Sequence, residues 1–158
     1  MKKLLIALAL TALTGLPTLA QTQTPTAEQY FANAQQLAAQ AEIAYPQPFV
    51  DLPLWDSAVG NAQAAADLAP TELKYLRYAA ELYTTTQWWI KAYDTWKLYE
   101  SKTALDDASK TQAARAAAKL GYLALQRGVK ADAITYLTDS LRWKEDASAR
   151  ALLQRAQR

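Results

Sequence analysis

One spacing constrains this chain more than any other. Ala58, Ala92 and Ala133 hold the same place in a recurring pattern, separated by 34 and then by 41 residues. The fullest copy runs from Leu120-Gly121 through Gly128 to Ala133-Ile134, Leu137 and Leu141. Small residues in helical register with large ones, on both sides of a helix-breaking glycine, describe two helices that approach closely and turn back on each other. A unit of this length cannot bury its apolar face alone, so successive copies must stack.

Nothing elsewhere in the sequence competes with a helical reading. Tyr30, Ala34, Leu37, Ala38 and Ala41 fall on one stripe at helical intervals, so a helix is expected from Ala27 to Ala44. The segment from Tyr45 to Pro53 carries three prolines and cannot be a helix interior. Beyond it no alternation of β type occurs. The chain is alanine- and leucine-rich, punctuated by Pro70, Thr84-Thr85-Thr86, Asp106-Asp107 and Gly128. The longer second interval exceeds the first by two helical turns. The expected place for the extra residues is the helix through Trp96, prolonged toward Leu105, or a loop grown there.

The middle copy places Ala79-Ala80 at the small positions, Tyr83 at the large aromatic one, and Trp89 and Trp96 beside Ala92. The first copy keeps Trp55, Ala58, Ala62, Ala65 and Pro70, but Pro46 and Pro48 stand where its first helix belongs. Together these residues resemble the tetratricopeptide repeat (TPR), a helix-turn-helix unit of about 34 residues. The resemblance covers about residues 54–145. It implies an all-α chain of TPR-like antiparallel helical hairpins stacked as a short right-handed solenoid, with a C-terminal capping helix. The units are expected at 27–70 (irregular), 71–105 and 110–145, with the cap at 146–157, all in one domain over 27–158.

The N-terminus carries a different message. Met1-Lys2-Lys3, an apolar run from Leu4 to Leu13, and Thr18-Leu19-Ala20 read as a secretory signal peptide over residues 1–20, cut after Ala20. The apolar run is too short for the roughly 20 residues a membrane span needs. Membrane contact is thus expected only before cleavage, and the compact Lys-Lys start points to a bacterial periplasm or cell envelope. Residues 21–26, polar and broken by Pro25, are expected to be a disordered leader. There is no cysteine, so no disulfide supports the fold.

Charge is unevenly divided. Residues 21–101 hold 4 basic and 9 acidic side chains, whereas residues 102–158 hold 11 and 6. The near balance overall lacks the basic footprint of a nucleic-acid binder. The division either reflects solvated faces or directs the basic half toward an acidic partner, and it leaves open a salt-sensitive homo-oligomer.

With no histidine and no cysteine, histidine-assisted nucleophilic catalysis and ordinary zinc sites are excluded. No catalytic residue, metal or cofactor is expected. Asp106-Asp107 and Glu145-Asp146 precede predicted helices, where carboxylates suit the free N–H groups of a first turn. Eight aromatic residues lie between Tyr75 and Tyr99. The repeat frame sends Tyr83, Trp89 and Trp96 to the core, with Tyr93 and Tyr99 between helices. Tyr78, Trp88 and Tyr75 remain as candidates for contact with a ligand, including an envelope polymer such as a carbohydrate. The resemblance to TPR implies a non-catalytic adaptor that binds a protein or peptide in a concave groove lined by the first helix of each unit. Carried onto this sequence, that groove consists of Lys74, Arg77, Tyr78 and Glu81, then Arg115, Lys119, Tyr122 and Gln126, with Trp88 as an outlying aromatic contact.

Overall fold

The computed structural model describes residues 24–44 and 53–158, and these form seven helices with no strand among them. They are α1 (Ala27–Ala44), α2 (Pro53–Leu68), α3 (Leu73–Thr85), α4 (Trp89–Lys102), α5 (Asp107–Gln126), α6 (Lys130–Trp143) and α7 (Ala147–Gln157). Each helix packs on the next in the chain, and α5 also touches α3 on one side and α7 on the other. The pairs α1–α2, α3–α4 and α5–α6 are antiparallel hairpins stacked in sequence, with α7 closing the row. This is an all-α, solenoid-like fold. The expected signal peptide, the start of the expected leader and the proline-rich link at 45–52 lie outside the described residues.

Helix α1 spans the residues its apolar stripe marked, burying Ala34, Ala38 and Ala41. Its start is fixed by a reciprocal capping box. The Gln29 amide donates to Thr26 Oγ1 at 3.2 Å, and the Thr26 amide donates to Gln29 Oε1 at 2.8 Å. Thr26 therefore belongs to the helix cap and not to a disordered leader.

The repeat is written most clearly in the turns. In the α3–α4 turn, the Trp88 amide donates to Tyr83 O at 2.9 Å, and Gln87 holds a positive φ of 63°. In the α5–α6 turn, the Val129 amide donates to Ala124 O at 2.9 Å, and Gly128 holds φ 76°. Both are left-handed terminations in which the amide three residues past the helix reaches back to its last turn. The second helices end alike as well: the amides of Thr103 and Lys144 donate to Tyr99 O and Ser140 O. Asp106 and Asp146 then cap the following helices through the amides of Ser109 and Ala149, at 2.7 and 2.8 Å.

The seven extra residues are not in α4. That helix has 14 residues, as does α6, and it stops at Lys102. The difference is between α3, with 13 residues, and α5, with 20, so α5 has grown by two turns at its N-terminus. The third unit accordingly starts at Asp107 and not at residue 110, because the Asp106 carboxylate nucleates the helix there.

The aligned alanines fulfil their packing role: Ala58, Ala92 and Ala133 are fully buried. Trp55 and Trp96 fill the space beside them, and Trp96 Nε1 donates to Thr84 Oγ1 at 3.0 Å. At the α5–α6 crossing, Gly121 gives way to Leu137; a Cβ at Gly121 would lie 2.5 Å from Leu137 Cγ.

Candidate functional site

Helix α5 presents Arg115, Lys119, Tyr122 and Gln126 at intervals of four, three and four, so all four side chains lie along one outward stripe. Beside this stripe lies a groove of about 690 Å³ lined by Thr111, Arg115, Lys119, Tyr122, Trp89 and Lys144, among others. The Arg115 guanidinium sits 5.7 Å from the Trp89 ring centre, and Lys119 Nζ sits 5.4 Å from that of Tyr122. Such contacts contribute about 0.5–1 kcal/mol each at exposed sites and position a cation without neutralising it. Gln126 Nε2 donates to the Tyr122 hydroxyl at 2.6 Å, and Lys144 Nζ donates to Thr111 Oγ1 at 2.8 Å. Among the described residues, Arg115, Lys119 and Lys144 have no carboxylate within ion-pair distance. The two acids at the far side are already engaged, Glu145 with Arg150 and Asp146 as a helix cap.

The α3 residues expected to continue this groove are occupied elsewhere. Lys74 Nζ lies 2.7 Å from Glu28 of α1, which also accepts from the Tyr75 hydroxyl at 2.6 Å. The hydrogen bond from Lys74 holds the Glu28 carboxyl below its ordinary range, with Tyr75 assisting. Arg77 contacts Glu81 and Asp106, each at 2.9 Å. The Tyr78 ring meets Phe31 edge-on at 5.2 Å, and partial burial pushes its phenol pKa up. Lys74, Arg77, Tyr78 and Glu81 thus stitch α1, α3 and α5 together, and the groove gathers only the α5 half of the expected set. Tyr75 is buried and is not a surface aromatic.

Trp88 is 40% exposed and stacks on Tyr83 with ring centres 6.0 Å apart. It lies on a second groove, between the start of α4 and the other flank of α5, and does not touch the basic stripe. Trp89, assigned to the core by the repeat frame, is only partly buried and lines both grooves. The repeat position demands a large side chain there, and Trp89 packs against the core while staying partly exposed. Lys144 carries no such signal in sequence, since only the fold brings the end of α6 beside Thr111.

The internal ion pairs sharpen the charge division. After they are set aside, the unpaired acids of the described residues are Glu42, Asp56, Asp67, Glu72 and Asp94 on the α1–α4 side. On the α5–α7 side only Asp132 and the capping Asp146 remain against Arg115, Lys119, Arg127, Lys130, Lys144 and the C-terminal arginines. The chain matches no protein-family model, and no curated protein matches it.

Proposed function

We propose that this chain is a secreted, non-catalytic TPR-like adaptor of the bacterial envelope, and that it binds an extended acidic segment of a partner protein along α5. One observation carries the reading. Arg115 and Lys119 are exposed, lack carboxylate partners among the described residues, and are held in place by Trp89 and Tyr122. Two oriented cations beside aromatic faces suit carboxylates on a backbone that lies across them. The repeated turns and the stacked hairpins support the kinship with TPR units, and the α5 groove is that unit's concave face.

A peptide of alternating glutamate and serine is the direct probe, with the lysine counterpart as control. Binding of the acidic peptide is expected to weaken with salt and to fall at least tenfold in an Arg115→Glu/Lys119→Glu variant, while Lys74→Glu has a small effect because Lys74 already serves Glu28. Equal binding by the double variant overturns the groove assignment.

A further inference from the structure

The groove on the other flank of α5 is not absorbed by that reading. Its residues from α5 and its C-cap, Leu120, Leu123, Ala124 and Arg127, recur at helical spacing and point away from the Arg115–Lys119 stripe. Seven large apolar side chains are exposed among the described residues, and three of them, Trp88, Ile90 and Val129, surround this one groove. Single exposed apolar side chains are ordinary, but three converging on a concavity mark a place built to be covered. The volume is about 470 Å³, within the range of about 300–1,000 Å³ that small-molecule sites occupy.

The position follows from the repeat. The groove opens between the α3–α4 and α5–α6 turns, where Trp88 and Val129 hold equivalent places directly after the left-handed residue. Both are therefore fixed by backbone hydrogen bonds of 2.9 Å and not by burial. Trp88 is further set by its stacking on Tyr83 and by Lys91 Nζ, 4.9 Å from its ring centre. The charged rim holds Lys91 and Arg127 against a single acid, Asp132. Arg127 has no carboxylate within ion-pair distance among the described residues. An apolar wall with a net positive rim selects a ligand that is apolar along its body and anionic at one end.

We propose that this groove is a second binding site, for an amphiphile with an apolar chain and one anionic head group. The chain lies against Trp88, Ile90 and Leu123, and the head meets Arg127 with Lys91 nearby. The site shares only Trp89 with the acidic-peptide groove and none of its charged residues, so either assignment can fail without the other.

Decanoate and decylammonium, which share a tail and differ in head charge, test this below their micelle concentrations. Trp55, Trp96 and Trp143 are buried, so a ligand-dependent change in tryptophan fluorescence reports Trp88 and Trp89. Decanoate is expected to saturate the signal, with decylammonium at least tenfold weaker. Ile90→Glu should abolish decanoate binding, and Arg127→Glu should reverse the preference between heads. Arg115→Glu/Lys119→Glu should leave it unchanged. Ile90 is 62% exposed, so its variant is expected to keep the helical circular dichroism of the parent; Val129→Glu serves as a second blocking variant. Absence of saturation, equal affinity for the two heads, loss of decanoate binding in the α5 double variant, or undiminished binding by the blocked variants each overturns the proposal.

Discussion

Gln87 and Gly128 occupy equivalent turns with unequal ease. Both hold a positive φ, yet only glycine adopts it without a steric cost, which for other residues is of order 1 kcal/mol. Gln87→Gly is therefore expected to stabilise the fold by about 0.5–1 kcal/mol, and Gly128→Ala to destabilise it by about 1 kcal/mol. Urea denaturation of the two variants checks both signs at once. Gly128 is visible in the sequence as a turn signal, whereas Gln87 is not. The left-handed backbone there is imposed by the helix-end hydrogen bonds of the repeat, which residue type does not disclose. Gly121 is a different case, since its backbone is helical and its role is closeness. Gly121→Ala gains helix propensity of about 1 kcal/mol but drives a methyl into buried Leu137, an overpacking cost of about 1–3 kcal/mol. Net destabilisation is expected. In a Leu137→Ala background the same change should be neutral or stabilising, and a double-mutant cycle in denaturant measures that reversal.

At the scale of the helix, the boundaries depend on caps more than on periodicity. Helix α1 was legible because prolines closed its far end and an apolar stripe ran unbroken before them. The growth of α5 was misplaced because aligning alanines in the second helices fixes an interval without saying which element lengthens. Asp106-Asp107 did carry the answer. A capping aspartate places the helix start at residue 107, and the turn at Gly128 then leaves room for all 20 residues. Asp106→Ala removes the acceptor for the Ser109 amide and is expected to cost about 1 kcal/mol. Asp146→Ala should cost a similar amount at α7, and the pair measured side by side separates capping from the extra Arg77 contact that only Asp106 makes. The α5 stripe was readable for the same local reason, since residues four apart on one helix share a face. The fate of Lys74 and Arg77 was not, because Glu28 lies 46 residues from Lys74 and Asp106 caps another helix.

Across the whole molecule, a polar staple locks α4 to α6. Arg142 donates to both oxygens of Glu100, at 2.6 and 2.9 Å, and Trp143 Nε1 donates to Glu100 Oε1 at 2.8 Å. Beside it, Asp139 accepts from the Tyr93 hydroxyl at 2.5 Å and from Lys97 at 3.0 Å. The Arg142 hydrogen bonds outweigh burial and hold the Glu100 carboxyl below its ordinary range. For Asp139 burial is the largest influence and raises the pKa, but the Tyr93 and Lys97 hydrogen bonds together with the nearby cations prevail, and the result is again lowered. A carboxyl with a folded pKa below its unfolded one binds fewer protons when folded, so its stabilisation is present above the unfolded value and fades as pH falls toward the folded one. Tyr93 acts at the other extreme. Burial first, and then Asp139, raise its phenol above 10, so its stabilisation is complete below pH 10 and is lost as pH climbs further. The unfolding temperature is thus expected to stay level near neutrality, to drop below about pH 4.5, and to drop again above about pH 10. Glu100→Gln should lower the plateau and flatten the acid limb while leaving the alkaline limb in place, whereas Tyr93→Phe should flatten the alkaline limb. Thermal melts of the three proteins from pH 2.5 to 11 distinguish these outcomes. An acid limb unchanged by Glu100→Gln would assign acid sensitivity to the remaining lowered carboxyls, Asp139 in the same staple and Glu28 and Asp106 where α1, α3 and α5 join.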